Sequence, residues 1–327
     1  MSIVCVGSVA LDSVKTPSGE RGEALGGAAT YFSAAASIFT HVDIVAVVGE
    51  DFPQQHVDFL ASKGVGLEGL ERRPGRTFRW SGEYGYDLNE ARTLKTELNV
   101  FEAFHPRVPA SLRKSEWLFL GNIDPRLQLD VLNQIEKPKL VAADTMNYWI
   151  TGSLESLKQL LARIDLLFVN DSEARQLSGE SNIVRAAHAI QAMGPRIVCI
   201  KRGEYGAMLF LPRGTEGREE EQIFALPSMP LTEVQDPTGA GDSFAGGFLG
   251  SLAAGGKIDA QSLRRSVVLG TVLASFTVER FGLERLGSLM RAEVEERFQI
   301  FSRLTWQGSV EPLDGARIDK GTVSGHA

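Results

Sequence analysis

The sequence predicts an α/β fold, a mostly parallel sheet with helices on both faces. Three observations predict it. Apolar runs of about five residues alternate with amphipathic stretches of about ten or more. The runs are continuously apolar rather than alternating, which means burial on both faces. Their regular alternation with helices implies right-handed βαβ crossovers in an open sandwich. The chain has 327 residues, 43% hydrophobic and 23% charged, so it is long and apolar enough for one large α/β domain with an insert.

In chain order, strands are expected at 3–9, 42–48, 117–120, 140–143, 166–169 and 197–200, each a short apolar run such as Ile-Val-Cys-Val or Ile-Val-Cys-Ile. Amphipathic stretches at 28–38, 54–62, 127–135, 153–162 and 183–193 supply the helices between them. A hairpin then brackets the charged turn at 214–221, with strands at 207–211 and 222–226, and helices follow at 242–254, 260–278 and 291–304. One segment breaks the rhythm. Across 77–86, Phe78, Trp80, Tyr84 and Tyr86 occupy even positions and Arg79, Ser81, Glu83 and Gly85 odd ones, the period of a half-exposed strand. A second extended piece at 91–101 follows a turn, so 72–101 reads as a small β insert whose rings pack on the main domain or a dimer partner, or cover a ligand. The tail at 306–327 lacks periodicity and reads as a loosely held extension.

Charge and composition exclude several functions. Thirty-four Lys and Arg against 41 Asp and Glu give −7, a surface that repels phosphate backbones, so nucleic acid is not an expected partner. Cys5 and Cys199 sit inside strand-like runs and read as buried thiols of a reducing compartment. His41, His56, His105, His188 and His326 are scattered, without zinc-ligand spacing. The apolar stretches at 243–256 and 267–278 are too short to cross a bilayer, and the N-terminus lacks a basic leader. A cytoplasmic protein without membrane contact is expected.

Two motifs are decoys. Gly64-Val-Gly-Leu-Glu-Gly69 matches a dinucleotide pattern, but it follows a helix and leads into none, so a helix C-cap and turn explain it. Gly241-Asp-Ser243-Phe-Ala245 approaches a nucleophile elbow without its last glycine or its leading strand, and a serine hydrolase is a remote alternative. The strong signal is Asp236-Pro-Thr-Gly239-Ala240-Gly241-Asp242-Ser-Phe. Its glycines admit close approach of a ligand, and the helix starting near Asp242 aims free N–H groups and its positive dipole end at the same point, an anion hole. Asp242 on its rim either accepts a proton from a substrate hydroxyl or merely caps the helix.

That run, followed by Gly246-Gly247-Phe, resembles the C-terminal signature of the ribokinase-like (PfkB) carbohydrate kinases. Gly26-Gly27 resembles the family's N-terminal di-glycine, Asn170-Asp-Ser-Glu173 its Asn-x-x-Glu motif, and Lys201-Arg-Gly203-Glu-Tyr-Gly206 its nucleotide-contacting turn. The resemblance implies a three-layer α/β/α sandwich with a mostly parallel sheet, a kinase domain over 1–304 with a β lid at about 72–101 and part of 13–24, and an extension at 305–327. It further implies transfer of the γ-phosphoryl group of ATP to a small hydroxylated acceptor. Asp242 is then the base, Gly239, Ala240 and Gly241 the anion hole, and Asn170, Lys201, Gly203 and Gly206 the nucleotide contacts. Asn170 and Glu173 would organise Mg²⁺ through water, and Asp12, Gly26, Gly27 and Asn122 would bind the acceptor. A monovalent cation and a homodimer through the lid are compatible with it. Two departures bear on the acceptor: Tyr31 and Ala10 stand where family sugar kinases often carry Asn, which argues against ribose. A sugar or cyclitol is the favoured acceptor, with a nucleoside as the alternative.

Overall fold

The computed structural model describes residues 2–212 and 222–305; the charged turn at 214–221 and the tail at 306–327 lie outside the described residues. The chain begins in β1 (Ser2–Val6) and leaves as the hairpin β2 (Ala10–Thr16) and β3 (Gly19–Gly26). It returns through α1 (Ala28–Ala36), β4 (His41–Gly49), α2 (Gln54–Ser62) and β5 (Gly66–Arg73), then leaves again as β6 (Phe78–Tyr84) and β7 (Ala91–Glu97). The middle of the chain comprises β8 (Trp117–Leu120), α3 (Pro125–Leu132), β9 (Leu140–Asp144), α4 (Asn147–Gly152), α5 (Leu154–Leu161), β10 (Leu166–Asn170), α6 (Asp171–Ser178), α7 (Ile183–Gln191) and β11 (Ile197–Lys201). The last part runs through β12 (Ala207–Leu211), β13 (Gln222–Leu226), α8 (Ala240–Gly255), α9 (Ala260–Thr277), α10 (Glu284–Ser288) and α11 (Arg291–Thr305).

Nine strands form the central sheet in the order β13-β12-β11-β10-β9-β8-β1-β4-β5, parallel except at the β12–β13 edge. The continuous apolar runs now have their cause. Alternate residues of each strand feed two cores: Ile3, Cys5, Phe119, Phe168 and Cys199 pack under α1, α8 and α9, while Val4, Val6, Leu120, Val169 and Ile200 pack under α3, α5 and α7. Both thiols are free and buried.

Four strands form a second, smaller sheet in the order β3-β2-β6-β7. It is larger than the 72–101 insert with part of 13–24, because the run expected at 3–9 stops at Val6 and the chain from Ala10 to Gly26 joins the small sheet rather than the central one. Strand β5 also escapes the apolar-run criterion. It lies at the sheet edge, where Glu68 and Arg72 meet solvent, and Gly64 closes the preceding helix with φ +72°. Tyr86 does not share the aromatic face; β6 ends at Tyr84, and Tyr86 is 98% exposed in the turn beyond. Phe78 packs on Phe101, with ring centroids 5.5 Å apart. The small sheet rests on the body: Thr16 Oγ1 donates to the Gln235 carbonyl (2.8 Å), and Asn89 Nδ2 donates to Glu204 Oε1 (3.1 Å).

Candidate active site

The site gathers where strands of the central sheet end, the usual place for ligands in an open α/β sheet. Asp144, Asn170 and Lys201 are the last residues of β9, β10 and β11, and Asn170 and Lys201 are register partners. Lys201 Nζ lies 2.7 Å from Asp144 Oδ2. Burial opposes the charge on Lys201, but Asp144, Glu173 and Asp242 outweigh it and push its pKa up to about 12.

Helix α8 faces these strand ends. It begins at Ala240, earlier than the sequence suggested, because Gly239 takes φ +74° before the first turn and its bare Cα lies against the Tyr31 ring, which a Cβ would strike. Asp242 is therefore in the first turn and does not cap the helix. Within the anion-hole run, the Ala240 N–H is already bonded to the Pro237 carbonyl (3.2 Å), whereas the Gly241 N–H donates to no group among the described residues. Lys201 Nζ sits 3.0 Å from where a Gly241 Cβ would be, so the ammonium lies against the start of α8. Burial pushes Asp242 up to about 7; Asp144 adds to the shift and Lys201 opposes it. Ser243, centre of the elbow-like motif, is fully buried inside α8 and cannot act as an exposed nucleophile.

Asp12 projects from β2 of the small sheet and is 6% exposed. A Cβ at Gly26 would fall on its carboxylate, so only glycine admits this approach. Burial raises Asp12 to about 7, against a hydrogen bond from the Gly27 backbone and with Asp236 and Asp242 adding. Asp236 is pinned, accepting from the Thr238 and Gly282 N–H groups, both at 2.9 Å. Trp80 is the register partner of Asp12 across β2 and β6 and shares its face, and Tyr84 lies further along the same face. The Thr238 hydroxyl donates to Tyr84 Oη at 3.4 Å, and burial lifts the Tyr84 phenol to about 12.

Asn170 and Glu173 form a capping box on α6: Asn170 Oδ1 accepts from the Glu173 N–H, and Glu173 Oε2 from the Asn170 N–H, both at 2.7 Å. This leaves Glu173 Oε1 outside the box. Burial raises Glu173 to about 7, with Lys201 opposing and Asp144 adding. Two carboxylates beside one ammonium suit a hard dication held through water, and among the described residues no three ligand side chains form a direct metal cage.

Asn122 follows β8, and its Oδ1 accepts from Trp149 Nε1 (3.0 Å). Gly203 and Gly206 lie in the tight turn after β11, where the Gly206 N–H bonds the Gly203 carbonyl at 3.1 Å and Asn89 of the small sheet abuts Gly203. Sequence reasoning missed Asp144. Its signal was present, a lone carboxylate ending the apolar run Leu-Val-Ala-Ala.

The chain matches the family described as pfkB family carbohydrate kinase over residues 2–286. It belongs to that family. It is 28% identical to a cytidine kinase of Thermococcus kodakarensis over 289 residues, 86% of this chain and 98% of that protein. Its fold matches the nucleoside kinase of Methanocaldococcus jannaschii, an archaeal member of the ribokinase family, with a TM-score of 0.72, 21% identity and coverage of 91% and 98%. It also matches the aminoimidazole riboside kinase of Salmonella enterica, solved with aminoimidazole riboside and an ATP analogue, with a TM-score of 0.71, 20% identity and coverage of 91% and 100%. The ribokinase-like fold expected from the motifs is the fold observed, and the chain is a kinase of a family that uses ATP. No helix of the described residues is long and apolar enough to cross a membrane.

Proposed function

We propose that this kinase transfers the γ-phosphoryl group of ATP to a hydroxyl of a nucleoside, with Asp242 as general base. One observation carries the choice of acceptor: Asp12 and Trp80 are register partners on one face of the small sheet, with Tyr84 on that face as well. A carboxylate for sugar hydroxyls and rings for a base thus belong to a single surface, and base–aromatic stacking is worth about 1–3 kcal/mol. Full-length similarity to a protein named cytidine kinase supports the same reading. A sugar or cyclitol is the second reading, favoured by the cluster of buried Asp12 and Asp236 with half-buried Asp242, which suits a compact polyol.

In either case the chemistry is the same. Asp12 holds an acceptor hydroxyl by charge-assisted hydrogen bonds. The attacking hydroxyl gives its proton to Asp242, whose pKa near 7 matches a base working at neutral pH. The Gly241 N–H, the dipole of α8 and the Lys201 ammonium meet the oxygens of the phosphoryl in flight. Mg²⁺, when bound, neutralises charge on the ATP phosphates, and Asn170 and Glu173 would hold it through water. The small sheet acts as a lid that keeps water from the phosphoryl group.

An ATP-consumption screen across cytidine, uridine, adenosine, inosine, ribose, hexoses and inositols tests the proposal. Turnover is expected with nucleosides. Turnover confined to free sugars or cyclitols would reject the nucleoside in favour of the second reading.

A further inference from the structure

We infer that Gln128 is a positioning residue for phosphoryl transfer, a clamp that fixes the strand end carrying Asp144 and, through it, Lys201. Gln128 is on α3, outside every motif of the chain, and is fully buried. Its Nε2 lies 3.1 Å from the Leu120 carbonyl, 2.8 Å from the Gly121 carbonyl and 3.0 Å from the Asp144 carbonyl. Parallel strands β8 and β9 are paired up to Leu120 and Ala143, so Gln128 bridges the two strands just where that pairing ends. The two amide protons are shared among three carbonyls. Gln128 Oε1 is meanwhile buried without a partner. Turning the amide over would set that oxygen against three carbonyl oxygens, so the stitch across β8 and β9 dictates the orientation even at the cost of an orphaned acceptor.

Asp144 links the clamp to the reacting groups. It is bonded to Gln128 through its backbone and to Lys201 through its carboxylate at 2.7 Å. Lys201 in turn lies against Gly241 of the anion hole, and Asp144 contributes to the raised pKa of Asp242. A shift of the Asp144 backbone would move the ammonium that meets the phosphoryl group and retune the base. Gln128 touches neither substrate nor reacting atoms and acts only through these groups. The inference rests on the kinase reading of the site.

Two variants test it. Gln128→Leu removes the stitch, and displacement of catalytic groups by about an ångström costs up to about 10²-fold in rate. We expect kcat to fall by roughly ten- to a hundredfold with acceptor KM within about threefold, and the apparent pKa of the kcat profile to move. Gln128→Glu keeps the shape. Its carboxyl can donate to the carbonyls only while protonated, so its kcat relative to the parent should be near normal at low pH and fall as pH rises. Hydrogen exchange of the folded proteins gives a readout that needs no turnover: amides at 120–123 and 144–146 should exchange faster in Gln128→Leu, with α8 and α9 unchanged. Unaltered exchange there overturns the clamp whether or not phosphoryl transfer is seen. An active parent with the Gln128→Glu ratio flat across pH overturns it equally.

Discussion

Asp242→Asn should slow the enzyme and stabilise it, and both effects trace to one half-buried carboxylate. The substitution keeps the size of the side chain in the first turn of α8 but removes the proton acceptor. Loss of a general base costs about 10²–10⁴ in kcat. The stability effect comes from linkage. Burial, reinforced by Asp144, raises the Asp242 pKa from 3.8 to about 7. Between those values the unfolded chain has released the proton and the native protein has not, so native stability falls as pH rises through this window and levels off above pH 7. A tenfold difference in proton affinity between the two states corresponds to about 1.4 kcal/mol, so the burden at neutral pH is on the order of a few kcal/mol. The asparagine variant escapes it. Its Tm should match the parent near pH 4 and exceed it by a few degrees above pH 7. Thermal unfolding at closely spaced pH values, with kcat measured under saturating substrates, reads both effects. A variant with near-parental kcat, or a Tm difference that does not grow with pH, would refute the reasoning.

Other expectations follow from the same geometry. Parental kcat/KM should rise with pH through the region of pH 7, because Asp12 and Asp242 are both held up to about 7 and both work ionised; a flat profile there would contradict these roles. Asp12→Ala should raise the acceptor KM by at least about tenfold in steady-state kinetics, the effect of losing one charge-assisted bond. Trp80→Leu should raise KM for a nucleoside by about tenfold or more while sparing the KM for ATP, as loss of a stacked base requires. Glu173→Gln should shift the Mg²⁺ titration of the rate to higher concentration, and an unmoved curve would leave Glu173 as a helix cap only.

The central sheet was legible because burial on both faces writes itself as unbroken apolar runs. The same criterion hid the site. It ended strands at Ala143, Val169 and Ile200, one residue short of Asp144, Asn170 and Lys201, because a polar residue ends an apolar run even where the strand continues. The family motifs include Asn170 and Lys201 but have no pattern for Asp144. Strands β2 and β3 were obscured by Gly19, Glu20, Arg21 and Glu23, the charged and flexible residues that a half-exposed strand tolerates. Gln128 left no trace at all, since an amide that stitches three carbonyls looks in sequence like any polar residue on an amphipathic helix.

Under the proposed function, the distribution of charge accounts for how one site both captures a phosphoryl group and lets it go. On the acceptor side lie Asp12, Asp236 and Asp242, each raising the pKa of a neighbour, and the Tyr31 and Tyr84 phenols. On the proposed nucleotide side lie Lys201, the Gly241 N–H and the positive end of α8. An acceptor hydroxyl is neutral and enters the acidic half freely. The phosphoryl group it receives is anionic, and as a product it is drawn toward Lys201 while the carboxylates behind it repel it. As the proposed base, Asp242 would carry the transferred proton at that moment and be neutral, so repulsion is weakest when the bond forms and returns when the proton leaves. Proton loss from Asp242 then acts to expel the product. A product-release limit on kcat should therefore ease as pH rises through 7, and the burst of product in the first turnover should be larger below pH 7 than above it; a burst that does not vary with pH would break the link between the proton and release.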